Sequence, residues 1–167
     1  MKLSIAILQA EQVTQSYVEW YSNEEVVRYS DNQYRKFSFD GQCSYVENCL
    51  LNDDVNLYGI FDDTTHIGNI VMSGLSSRHR KAELTYVIGD TNYWGKGVAS
   101  FAIANIIKIA KEEFDLNKLY AGIASANVGS GKVLEKNGFV KEGTRKQHLF
   151  YGGDFFDQID YGLLLKG

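Results

Sequence analysis

Asn92-Tyr93-Trp94-Gly95-Lys96-Gly97-Val98-Ala99-Ser100 is the stretch on which the reading of this chain turns. A strand-like run from Ala82 to Ile88 precedes it, and a long helix-periodic segment from Val98 to Phe114 follows it. It is therefore a strand-to-helix corner carrying two glycines. Residues without side chains let the backbone turn and let a ligand approach it closely. The amides from Gly97 to Ser100 open the helix without intrahelical acceptors, so their hydrogens and the positive end of the helix dipole point at whatever sits in the corner. Lys96 adds a mobile positive charge. The pattern is that of a phosphate-holding corner, although a plain turn would use the same residues, and the surrounding sequence has to decide.

Working outward from the corner, proline is absent and the breaks fall at Gly, Asn, Asp and Ser. Lys2 to Leu8 alternates like a strand. Val13 to Tyr21 and Glu24 to about Tyr29 read as short helices, and Ser38 can cap a third that carries Tyr45, Val46, Cys49 and Leu50 toward a core. Strands follow at Val55 to Phe61, Ile67 to Leu75 and Ala82 to Ile88, joined by short polar turns into an antiparallel meander. In the helix after the corner, Ala99, Ala102, Ile103, Ile106, Ile107 and Ala110 form one apolar face. Leu119 to Ala124 is a strand, Asn127 to Lys136 a helix closed by a left-handed cap at Gly138, and Phe139 to Tyr151 and Phe155 to Leu165 two final strands. The expected fold is a single α+β domain over residues 1–167, with about seven strands in a mixed, mostly antiparallel sheet flanked by helices on both faces. The fourth and fifth strands, joined through a helix, are parallel neighbours, and a ligand lies where they splay apart.

The composition narrows the function. The chain has 167 residues, 44% of them hydrophobic and 23% charged, the proportions of a soluble globular domain. No apolar run reaches the roughly 18 residues a membrane span needs, and the N-terminus has no cleavage pattern, which predicts an untargeted cytoplasmic protein with no membrane partner. The net charge of −4 and the lack of a basic stripe argue against a nucleic-acid partner. Cys43 and Cys49 lie six apart in a predicted helix and should not pair, and the three histidines, His66, His79 and His148, show no metal-ligand spacing. Two phosphate motifs fail on spacing. A Walker loop needs four residues between its first glycine and Gly-Lys-Ser/Thr, whereas five separate Gly89 from Gly95 and Gly97 follows Lys96. A dinucleotide fingerprint needs glycine or alanine where Ser100 stands, and an acid where the next strand ends in Ala124-Ser125.

Trp94-Gly95-Lys96-Gly97-Val98-Ala99, followed by Asn127-Val128-Gly129-Ser130 and by Val133-Leu134-Glu135-Lys136-Asn137-Gly138-Phe139, resembles the acetyl-CoA-binding signature of the GNAT N-acetyltransferase superfamily. Ala82-Glu83-Leu84-Thr85-Tyr86, together with Trp20 through Tyr29, is similar to the Rim-type branch that acetylates ribosomal-protein N-termini. The resemblance implies that Trp94, Gly95, Lys96, Gly97, Val98, Ala99 and Ser100 hold the pyrophosphate of acetyl-CoA. It implies that the splayed strand near Val87 and Ile88 pairs with the pantetheine, and that acetyl passes directly to an amine. Because backbone amides do most of that binding, Trp94 is expected to tune packing or cofactor affinity. Lys132 and Lys136 either form a solvated helix face or meet the adenosine phosphate, with Lys132 the preferred contact.

Thioester-to-amine transfer asks for a base, oxyanion donors and a proton for the departing thiolate. A free amide near Val87 or Ile88 serves the oxyanion. Glu83, on the strand leading to the corner, is the expected base, on the premise that partial burial raises its pKa; an ion pair with Arg80 or Lys81 is the competing reading. Many superfamily members carry an acidic tyrosine seven positions after the motif's asparagine, where Leu134 stands, so Ser130 or a water held by Asn127 is the expected substitute. Asn127 and Ser130 equally suit a helix cap. The acceptor is a primary amine, whether a protein N-terminus, a nucleotide-linked amino sugar, a polyamine or another small amine. Tyr29, Asp31, Tyr34, Arg35 and Phe37 lie in the region where such folds bind acceptors, and surface packing is the competing reading of the same cluster. The alternative is a non-catalytic acyl-CoA-binding or regulatory module. The last two strands offer a sheet edge to a second copy, as in a homodimer.

Overall fold

The computed structural model describes residues 1–166. Its strands are Leu3–Ile7 (β1), Val55–Asp62 (β2), Thr65–Ser73 (β3), Lys81–Ile88 (β4), Lys118–Ala124 (β5), Val140–Tyr151 (β6) and Asp154–Leu164 (β7), and its α-helices Gln15–Trp20 (α1), Glu24–Val27 (α2), Phe39–Leu50 (α3), Val98–Glu112 (α4) and Val128–Lys136 (α5). They form one sheet in the order β1-β2-β3-β4-β5-β7-β6, antiparallel everywhere except between β4 and β5. The expected seven-stranded mixed sheet with a parallel central pair is what the chain adopts.

Alternation along the strands sorts the side chains into two layers. Ala82 and Leu84 of β4, Ile70 and Met72 of β3 and Leu119 and Ala121 of β5 pack with Val98, Ala102, Ile103, Ile106 and Ala110 of α4. None of these five helix residues is more than 2% exposed, and each fully buried isoleucine contributes about 1.5–3 kcal/mol. On the opposite face Leu8, Leu57 and Phe61 pack with Tyr17 and Trp20 of α1 and Val46 of α3. Here the sequence expectation is corrected. Tyr45 and Leu50 are exposed, because α3 turns Gln42 and Val46 inward and keeps Cys43 and Cys49 at the margin of that cluster. Both cysteines are free and half-buried.

The central parallel pair is short. β4 and β5 share only the rungs Lys81↔Lys118, Ala82↔Leu119 and Glu83↔Tyr120, while β4 stays on β3 as far as Ile88 and β5 stays on β7 as far as Ala124. The sheet is therefore split above Glu83. Beyond the last β5 rung the β6–β7 hairpin continues through Leu149↔Phe156 to Tyr151↔Asp154, closing on Gly152 and Gly153, both at positive φ as a two-residue primed turn requires.

Candidate active site

The corner lies at the mouth of the split. Gly95 and Gly97 have φ of 73° and 81°, and a Cβ added at either would meet nothing within 4 Å. Backbone handedness, not crowding, is what selects glycine there. Gly97 is the N-cap of α4 and makes no side-chain cap bond; the first intrahelical bond runs from the Phe101 N–H to the Gly97 carbonyl at 3.0 Å. The amides of Val98, Ala99 and Ser100 are thus left as donors at the positive end of a 15-residue helix. Lys96 is exposed, its Nζ 5.9 Å from the Tyr93 ring centroid. The Ser100 hydroxyl accepts from Asn137 Nδ2 at 3.1 Å, tying the first turn of α4 to the end of α5.

The loop between β4 and the corner is closed on itself. Asp90 caps it through the Asn92 N–H at 3.0 Å, the Trp94 N–H reaches the Thr91 carbonyl at 3.1 Å, and the Tyr93 hydroxyl donates to Asp62 at 2.8 Å. The Trp94 indole N–H donates to the Ile88 carbonyl at 2.8 Å. Sequence reasoning placed Trp94 at the corner but gave no sign of this bond, which exists only because the loop folds back.

Backbone phase along β4 corrects one expected residue. The Gly89 N–H bonds the Ile67 carbonyl at 2.9 Å, so in the antiparallel ladder Val87 and Thr85 turn their N–H and C=O groups to β3. Ile88 turns its groups to the split, as expected; Val87 does not. The second residue facing the split is Tyr86, which the sequence reading passed over, since motif matching does not fix which way a strand's amides point.

Glu83 also departs from its premise. It is exposed rather than partly buried, stands on the last shared rung opposite Tyr120, and has no ion-pair or hydrogen-bond partner among the described residues. The predicted competing pairs are absent as well: Arg80 bonds Asp115, and the Lys81 ammonium lies 5.5 Å from the Tyr120 ring centroid. Asn127 caps α5, its Oδ1 accepting the Ser130 N–H at 3.3 Å. Ser130 is half-buried, and its carbonyl lies 3.5 Å from the Tyr86 hydroxyl, whose pKa burial pushes up. Leu134 is fully buried in the core under α5, and Lys132 is exposed.

The opposite wall is aromatic. Trp20 lies flat against Gly89, where an added Cβ would fall 1.9 Å from its Cδ2, so α1 sits directly on the end of β4. Behind it His66 is held by Tyr17, Trp20 and Phe61, with its Nε2 2.6 Å from Asn69 Oδ1. Phe37 stacks on Tyr21 at 4.2 Å, Arg35 bonds Asn32, and Tyr29 meets Phe156 edge-on. The turn Asp31–Tyr34 catches the overhanging hairpin: the Tyr34 hydroxyl donates to the Phe150 carbonyl and the Tyr151 hydroxyl to Asp31, each at 3.0 Å. Of the residues expected at the acceptor side, Tyr29, Asp31 and Tyr34 meet the hairpin, whereas Phe37 and Arg35 serve their own segment.

Residues 6–140 match the model of the acetyltransferase (GNAT) domain. The chain belongs to the GNAT acetyltransferase family. Among curated relatives of this GNAT chain, the uncharacterized N-acetyltransferase YoaA of Bacillus subtilis is 31% identical over 98 residues, covering 59% of this chain and 55% of the relative. YdaF of the same organism, provisionally named a ribosomal N-acetyltransferase, is 34% identical over 108 residues, 65% of this chain and 58% of the relative. The match thus spans little more than half the length of these two proteins. Among solved structures, spermidine N-acetyltransferase from Vibrio cholerae, in complex with CoA and spermine, superimposes with a TM-score of 0.86 at 21% identity, covering 98% of this chain and 96% of that one. That likeness establishes the GNAT fold. Among the described residues no helix is long and apolar enough to cross a membrane, and no cluster of His, Cys, Asp and Glu could hold a metal ion.

Proposed function

We propose that this protein is an acetyl-CoA-dependent N-acetyltransferase that passes acetyl directly to a primary amine. The observation that carries the reading is the conjunction of the uncapped amides Val98 to Ser100 with a sheet split beside them. One part accepts a diphosphate; the other offers the Tyr86 N–H and carbonyl and the Ile88 N–H to an amide-bearing arm, the Ile88 carbonyl being taken by the Trp94 indole. Gly95 and Gly97 keep the corner open, with Lys96 beside it and Lys132 near the nucleotide. The Ile88 N–H is the donor for the oxyanion, in place of Val87.

Glu83 is the proposed acceptor of the amine's proton; about 16 Å of extended strand separates it from Ile88, so it takes that proton only through a chain of waters along the split. The thiolate takes its proton from Ser130 or from a water held near Asn127; the buried Leu134 offers none. The acceptor enters between the aromatic wall and the hairpin overhang. A peptide N-terminus and a small polyamine both suit this reading; YdaF bears a ribosomal N-acetyltransferase name and the Vibrio cholerae structure a spermidine N-acetyltransferase one. The same reading places the protein in the cytoplasm and offers the β6 edge to a second copy.

The test is release of free thiol from acetyl-CoA across a panel of amines, run beside calorimetry with CoA. Binding with turnover on at least one amine supports the proposal. Binding without turnover on any acceptor converts the protein into an acyl-CoA-binding module, and no binding removes the assignment.

A further inference from the structure

We propose that Trp94 is a positioning residue: its indole bond to Ile88 fixes the distance between the phosphate corner and the open edge of β4, so that one ligand can engage both. The inference rests on the coenzyme reading of the corner and adds a part of it that neither the motif nor the family assigns.

Five residues lie between Ile88 and Trp94 in sequence, and the 2.8 Å indole bond closes them into a cycle. Inside that cycle the Thr91–Tyr93 turn is capped by Asp90, and the Trp94 N–H is bound to the Thr91 carbonyl. Outside it the Tyr93 hydroxyl is pinned to Asp62 on β2. The next residue, Gly95, adopts a left-handed φ, and neither Gly95 nor Gly97 has a side chain with which to pack the corner in place. The corner's glycines are therefore positioned from one side by the Trp94 linkage and from the other by the buried Val98 that starts α4.

The acceptor of the bond matters as much as the donor. Ile88 is the last β4 residue whose groups face the split, so its carbonyl marks where the strand edge ends and the loop begins. Trp94 is 44% exposed, which leaves its ring little packing with which to hold the loop by itself. The directional indole N–H does that work. A ligand confined to the corner should not sense the tether; a ligand reaching from the corner along β4 should.

Trp94→Phe keeps an aromatic ring and removes the donor. Calorimetry would compare CoA with 3′-phosphoadenosine 5′-diphosphate, which carries only the nucleotide half. The variant is expected to bind CoA about five-fold more weakly, the worth of one neutral hydrogen bond, and the nucleotide half as well as the unaltered protein does. In a turnover assay the acetyl-CoA KM rises while kcat holds. Unchanged or tighter CoA binding overturns the proposal, as does equal weakening of both ligands, since Trp94 would then act within the corner alone. Amide hydrogen exchange of the free protein gives a reading independent of any ligand. Faster exchange at Asn92–Trp94 in the variant is expected, and unaltered exchange refutes the tether even if neither ligand binds. Absence of CoA binding by the unaltered protein, with the exchange difference present, would sink the coenzyme reading while leaving the tether itself in place.

Discussion

The Tyr151 hydroxyl donates to Asp31 at 3.0 Å, joining two residues 120 positions apart and holding the β6–β7 overhang against the turn that follows α2. Burial, followed by the bond to Asp31, pushes the Tyr151 phenol up to about 12, so it remains a donor throughout the physiological range. Tyr151→Phe is expected to cost about 1 kcal/mol of stability, one hydrogen bond, and to raise hydrogen exchange in the hairpin tip more than elsewhere. Uniform exchange between variant and parent would show that the overhang is held by its aromatic contacts alone.

Gly97→Ala separates conformation from crowding. A Cβ there meets nothing, yet φ is 81°, so the expected loss of stability is about 1–2 kcal/mol from handedness. CoA affinity is expected to fall by at least ten-fold, because relaxing φ re-aims the first amides of α4. Thermal unfolding with calorimetry checks both, and retained affinity at reduced stability would remove the corner from the binding site.

Glu83→Gln keeps size and exposure but removes the carboxylate. Turnover is expected to fall by about a hundred-fold or more, the usual worth of a general base, with CoA affinity unchanged. An unaltered rate eliminates Glu83 from the chemistry.

For α5 the cap and the chemistry predict different losses. Asn127→Ala is expected to cost about 1 kcal/mol of stability through the lost bond to the Ser130 amide. Ser130→Ala is expected to leave stability nearly unchanged and to lower kcat at constant KM. If neither variant alters turnover, Asn127 is a cap and nothing more, and the proton comes from elsewhere.

His66 supplies a pH signature. Desolvation holds its folded pKa below the ordinary value, against the favourable bond to Asn69. The unfolded chain therefore binds the proton more readily, so stability present above about pH 6.5 is lost as pH falls through the lowered folded value. The paired carboxylates Asp62, Asp115, Asp157 and Asp160 are held below their usual range and contribute their losses at more acid pH. His66→Gln should flatten the decline of melting temperature between pH 7 and pH 5; an unchanged slope would assign it to other groups.

Much of this architecture is written locally. The period-2 runs of β2 to β4, the apolar face of α4 and the Asn127 and Gly138 caps specify their elements through nearest neighbours, and the structure reproduces them within a few residues. The glycine corner was legible because left-handed backbone leaves glycine in the sequence. What sequence could not display depends on how distant segments meet. The phase of α3 is set by packing, which exposes Tyr45 and buries Gln42. Whether Val87 or Tyr86 faces the split is set by the Gly89–Ile67 bond. The exposure of Glu83 follows from its rung, and the Trp94 bond from loop closure, neither of which has a compositional trace.

The three rungs joining β4 to β5 carry a mechanical meaning. With so brief a seam, β1–β4 and β5–β7 are two leaves joined by backbone bonds only as far as Glu83 and held together elsewhere by the side chains that pack beneath α4. An arm bonded along β4 and wedged beside β5 would act as the missing stitching, converting two leaves into one stiff plate. Saturation should therefore quieten motion far from the corner, out to the hairpin tip, without any new contact being made there.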